Sequence, residues 1–142
     1  MPDKLSVIVQ SGEFNKVHYA LAVAGAAIAT NIPTTLFFTM GATRALLKAG
    51  SDGRPGWTRM PIEGGGGSAA DLDNEFAARG VATFEDLLSA CVALGVSLMV
   101  CEMGLRAMGI ELSDLRGDVP LSGGGLATFL AGASRQGAML FV

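Results

Sequence analysis

Apolar runs of two different periods alternate along this chain, and that alternation restricts its fold more than any other feature. "LSVIVQ" (Leu5 to Gln10) is a short β-branched run closed by "SGE", as expected of a strand buried on both faces. Phe14, Val17, Leu21, Ala24 and Ile28 then recur at spacings of three and four, which puts them on one stripe of a helix. "TTLFFT" (Thr34 to Thr39) reads as the second strand. "GATRALLKAG" reads as a short helix with Ala42, Ala45, Leu46 and Ala49 inward and Gly50 at its end. Periodicity is lost from Ser51 to about Gly80, where glycines, two prolines and mixed charge predict a flexible loop or lid. The "GGGG" inside it resembles a linker in a chain too short for a domain boundary there.

Order returns at "TFEDLLSACVALG", with Thr83 as N-cap, Asp86 at the third helical position and Gly95 as the stop. "VSLMV" (Val96 to Val100) is the third strand, and "EMGLRAM" a helix stopped by Gly109. "DVPL" reads as a brief fourth strand weakened by Pro120, "GGGLATFLAGASR" turns into a helix, and "AMLFV" closes as a strand. Strand and helix in alternation favour a parallel sheet with helices on both faces. The expected architecture over residues 1–142 is therefore a single, doubly wound α/β domain with a mostly parallel sheet of about five strands.

At 142 residues one core suffices, and folding should bury about two-thirds of the unfolded surface. Hydrophobic residues make up 50% and charged ones 16%, against roughly 25% charged in an average soluble chain. So little polar material predicts that copies of the chain cover one another in a homo-oligomer. The net charge of −3 and the absence of any Lys/Arg run argue against nucleic acid as a partner. Two cysteines and one histidine, His18, are too few for a dedicated metal site or a disulfide framework. The longest apolar tract, "YALAVAGAAIAT", falls short of the ~20 residues of a membrane span. "LSVIVQ", after Asp3 and Lys4, is too short for a signal-peptide core and is followed by no small-residue cleavage pattern, so the expected compartment is the cytoplasm, where thiols stay reduced.

In a fold of this kind, ligands sit beyond the carboxyl ends of the strands. Ser11 and Gly12, Thr39 to Gly41, Cys101, and Gly123 to Gly125 all fall there. Cys101 is the strong nucleophile among them, and the amides of Glu102, Met103 and Gly104 start the helix behind it. Such amides favour a thiolate, whereas the neighbouring Glu102 carboxylate opposes one. The same position also suits a small buried hydrophobe. Cys91 lies on the inward stripe Phe84, Leu87, Leu88, Cys91 and reads as core. About 10 Å along the axis, plus the helix-to-sheet spacing of about 10 Å, separates it from Cys101, beyond the roughly 7 Å limit for a disulfide. His18 lacks a carboxylate nearby in sequence and reads as structural or surface. Arg44 reads as a solvated arginine, and Gly123 to Gly125 as either a tight turn or an anion cradle.

"SVIVQSGEFNKVHYALAVAGAAIATNIPTTLFFTMGATRALLK" together with "FEDLLSACVALGVSLMVCEMGLRAMGI" resembles the DsrE/DsrF family of sulfur-relay proteins. The likeness runs from about Leu5 to Val142 and lapses over Ser51 to Gly80; "LFFTMGATRALLK" and the cysteine before "EMGLRAMGI" carry most of it. The resemblance implies a homo-oligomer, a trimer or a multiple of it first and a dimer second. It also implies that Cys101 carries sulfane sulfur as a persulfide between donor and acceptor proteins, with no cofactor. Ser11, Gly12, Thr39, Gly41, Glu102, Met103 and Gly104 would shape the pocket, and Cys91 matches a second cysteine present in some members. The alternative for the same fold is a module that binds a small anion or a nucleotide at the glycine turns without catalysis.

Overall fold

The computed structural model describes residues 1–142. Five strands, β1 (Leu5–Val9), β2 (Thr34–Phe38), β3 (Ser97–Cys101), β4 (Ser122–Gly124) and β5 (Ala138–Phe141), form one sheet in the order β4-β3-β2-β1-β5. Every pairing is parallel. β2 is central and buried along its whole length, which explains its unbroken apolar and β-branched sequence.

Alternate side chains along the strands feed two unequal cores. On one face Leu5, Val7, Val9, Leu36, Phe38, Leu98 and Val100 join helices α1 (Phe14–Ala29) and α3 (Phe84–Leu94) in a cluster of 27 buried residues, which makes this a single domain. The opposite face holds only Phe37, Cys101 and Phe129, with Ile8 and Met99 packed against them. Phe129 comes from the short helix α5 (Leu126–Ala131), so helices cover both faces, but far more thinly on the second.

The periodic segments form as the sequence predicts. In α3, Thr83 Oγ1 accepts the Asp86 amide at 3.2 Å, and Gly95 ends the helix at φ 94°. α4 (Glu102–Ala107) follows β3 and yields to Gly109 at φ 68°.

Four local expectations are corrected. "GATRALLKAG" is a 3-10 helix over Met40–Leu46, not an α-helix, and it ends at Leu47 rather than at Gly50. The presumed loop contains helix α2 (Ala69–Ala78), capped where Ser68 Oγ accepts the Asp71 amide at 3.0 Å. The same stretch also sends Trp57 and Met60 into the main core, Trp57 stacking on Phe84 with ring centroids 4.9 Å apart. The fourth strand lies at Ser122–Gly124, past Pro120, rather than at "DVPL". Gly123 to Gly125 make no positive-φ turn: the first two belong to β4 and the third caps α5 in extended conformation. No helix is long and apolar enough to cross a membrane.

Candidate functional site

β3 and β4 are neighbours, and Cys101 pairs with Gly124 at their carboxyl ends. From β3 the chain enters α4, whose Leu105 joins the larger core. From β4 it enters α5, whose Phe129 packs on the other face. Adjacent strands thus send the chain to opposite faces at this pair, which is the topological switch point where open α/β sheets hold their ligands. Cys101 stands at that point.

Cys101 is both the last residue of β3 and the N-cap of α4, and its Sγ accepts the Gly104 amide at 3.4 Å. The start of the helix therefore donates to the sulfur, as the sequence led one to expect. Behind it, two strand-end loops are held backbone to backbone. A Cβ built on Gly104 would lie 2.5 Å from the Met40 nitrogen and 2.6 Å from Thr39 Oγ1, so only glycine lets α4 settle this close to the end of β2. One layer along, a Cβ on Gly41 would lie 2.9 Å from Gly12 Cα. Between them Met40 adopts φ 50°, a conformation costly for a residue with a side chain. Met40 lies within the Thr39 to Gly41 stretch expected at this edge, but its left-handed backbone leaves no local sequence signal.

The predicted site residues do not all converge on the sulfur. Thr39 is buried, and its amide donates to Val9 O at 2.9 Å, while Met103 is 57% exposed. Glu102 is exposed, and its carboxylate reaches towards Gly123, where a Cβ would sit 3.6 Å from Oε1. Ser11 and Gly12 lie two strands from Cys101, a separation of about 10 Å. The Ser11 amide bonds to Val142 O at 3.2 Å, and its hydroxyl accepts the Glu13 amide at 3.1 Å. Arg44 is exposed.

Cys101 is 0% exposed, walled by Phe37 and Phe129. A groove of about 790 Å³ lies beside α4, lined by Glu102, Arg106, Glu111 and Leu112 among others, and Cys101 is not part of its wall. Both cysteines are free thiols. Cys91 is also fully buried; its Sγ donates to Leu21 O at 3.4 Å, and burial pushes the thiol up to about 11. It is a core residue, as its stripe predicted.

His18 is buried with Nε2 2.8 Å from Ala82 O and its ring against Phe14 and Phe76, a structural histidine. Asp73 nearby accepts the Phe84 amide at 2.8 Å, and burial raises its pKa above the ordinary value. One polar cluster had no sequence signature. Arg116 donates to Glu85 Oε1 at 2.6 Å and Oε2 at 2.9 Å and to both oxygens of Asp118, while Trp57 Nε1 donates to Glu85 Oε2 at 2.7 Å. The arginine holds both carboxyls below their usual range. This cluster joins three segments far apart in sequence. No group of three or more His, Cys, Asp or Glu side chains converges as metal ligands would.

A family model described as "DsrE/DsrF-like family" matches residues 3–137. No curated protein matches the chain. Among solved structures, a protein of unknown function from Methanobacterium thermoautotrophicum, MTH1491, superposes with a TM-score of 0.57 at 13% identity, over 98% of each chain. The ychN protein of E. coli gives a TM-score of 0.53 at 19% identity, over 98% of this chain and 99% of that one. At these identities the likeness concerns the fold.

Proposed function

Because the chain belongs to the DsrE/DsrF-like family, whose members act in sulfur relay, we propose that it carries sulfane sulfur as a persulfide on Cys101 and passes it to an acceptor thiol. The supporting observation is the Gly104 amide donated to Cys101 Sγ at the switch point of the sheet, the place where open α/β sheets hold their ligands. In loading, the Cys101 thiolate attacks the outer sulfur of a donor persulfide. One S–S bond forms as another breaks, and the donor leaves as a thiolate. In delivery, an acceptor thiolate attacks that same outer sulfur and Cys101 is the leaving thiolate. The sulfane sulfur moves without net oxidation, so neither step needs a cofactor.

The chain works in this reading as a homo-oligomer in the cytoplasm, exchanging sulfur with donor and acceptor proteins. Met139 and Phe141 on β5 are 46% and 67% exposed and offer apolar surface to another copy. Gly123 and Gly124 are engaged in the β4 ladder, which disfavours the alternative of an anion cradle there. The test is intact-protein mass spectrometry after incubation with a persulfide donor. A gain of ~32 Da that maps to Cys101 and is lost in Cys101→Ser is expected; loading that survives the substitution refutes the assignment.

A further inference from the structure

The structure assigns Phe129 as the gate over Cys101: α5 must swing off the sheet before any donor or acceptor can reach the sulfur. The inference rests on the persulfide reading for its purpose and on packing for its substance. Cys101 is 0% exposed and Phe129 2%, and Phe129 stacks on Phe37 with ring centroids 4.8 Å apart at 26°. Phe37 belongs to the central strand and cannot move without breaking the sheet. The mobile wall is therefore α5.

Everything about α5 suits a small, separable element. It is six residues long, too short to hold helical structure by itself, and Phe129 is its one buried side chain. Gly125 precedes it and Gly132 follows it, so a residue without a side chain flanks each end. Its far end is tied by an exposed hydrogen bond from Lys4 Nζ to Gly132 O. A segment attached through so little apolar surface belongs to the low-stability part of a fold, which opens without global unfolding. A persulfide formed beneath Phe129 would be shielded from free thiols until the helix lifts again.

Iodoacetamide trapping, read peptide by peptide at near-neutral pH, tests the gate, with Cys91 as an internal reporter of global unfolding. In the unaltered protein under sub-denaturing urea, the Cys101 rate should stay nearly flat while the Cys91 rate climbs steeply. Parallel slopes would mean that Cys101 is reached by global unfolding alone and would overturn the proposal. Phe129→Ala should speed Cys101 alkylation by about tenfold or more and leave Cys91 unchanged, with Phe129→Leu in between. A change at Cys101 within a factor of about two, or equal acceleration at both thiols in Phe129→Leu, counts against it. Should Phe129→Ala fail to fold, the urea series and the leucine variant decide. Alkylation uses no sulfur donor, so a protein that never loads sulfur leaves this result standing, and a failed gate leaves the loading result standing.

Discussion

Gly104 in α4 rests directly on Thr39 at the end of β2, so that one added methyl group at Gly104 would come within 2.6 Å of Thr39 Oγ1. The amide of the same glycine points at Cys101 Sγ. Packing of two backbones and placement of one sulfur are thus a single geometric fact.

Substitution of the site glycines should therefore be sharply position-dependent. Gly104→Ala and Gly41→Ala meet backbone at under 3.0 Å and should each lower stability by about 1–3 kcal/mol, as overpacking does. Gly12→Ala places its methyl 3.5 Å from Gly41 Cα, an ordinary contact, and should be neutral or slightly stabilising because alanine restricts the unfolded chain. Thermal denaturation of the three variants checks the ranking; a Gly12 variant as unstable as the Gly41 variant would contradict it.

Cys91 should make the fold sensitive to alkali. Its folded-state pKa is about 11 against an ordinary value of 9.0, so the folded protein holds the proton more tightly than the unfolded chain. The resulting stability is complete below pH 9.0 and is lost as pH rises towards 11. Cys91→Ala should cost about 1 kcal/mol at neutral pH through lost packing. Urea denaturation at increasing alkaline pH should find this gap between wild type and variant narrowing.

The opposite sign applies to Glu85. Arg116 holds its folded-state pKa below 4.5, so its contribution is present above that value and disappears as pH falls through the depressed one. Glu85→Gln should cost about 1 kcal/mol at pH 7, at the low end for a charged hydrogen bond since the carboxylate is 41% exposed. Acid titration of unfolding in wild type and variant should converge at low pH; a constant gap would place the effect in packing.

Light scattering at micromolar concentration is expected to give a homo-oligomer, a trimer or a multiple of it first and a dimer second. Phe141→Glu, at a residue 67% exposed on β5, should shift it to smaller species by placing charge on apolar surface. A monomeric wild type would contradict the expectation.

The order of strands and helices, the Thr83 cap, the Gly95 stop and the place of Cys101 at a strand end could all be read from local sequence, because each depends on periodicity or on a residue with one conformational use. What escaped depends on contacts between distant segments. α2 buries Ala69, Ala70 and Asp73, none of which makes a conspicuous apolar stripe. β4 is Ser-Gly-Gly, with no strand propensity, and exists because β3 offers it an open edge. The pairing of Glu85 with Arg116, 31 residues away, leaves no local trace. The helix over Phe129 was foreseen, but the face it covers was not: that follows from the return of the chain across the sheet to β5.

That return also sets the order in which the molecule can be assembled. β5 pairs with β1, from the opposite end of the chain, with Leu5 opposite Ala138 and Ile8 opposite Phe141. Contacts so far apart in sequence form late, because the chain between them must first be ordered. α5 is strung between β4 and β5, so it is pulled across Cys101 only once that last pairing closes. Every other strand can be in register while Cys101 still lies bare, and the sulfur is sheltered only once β5 has joined β1.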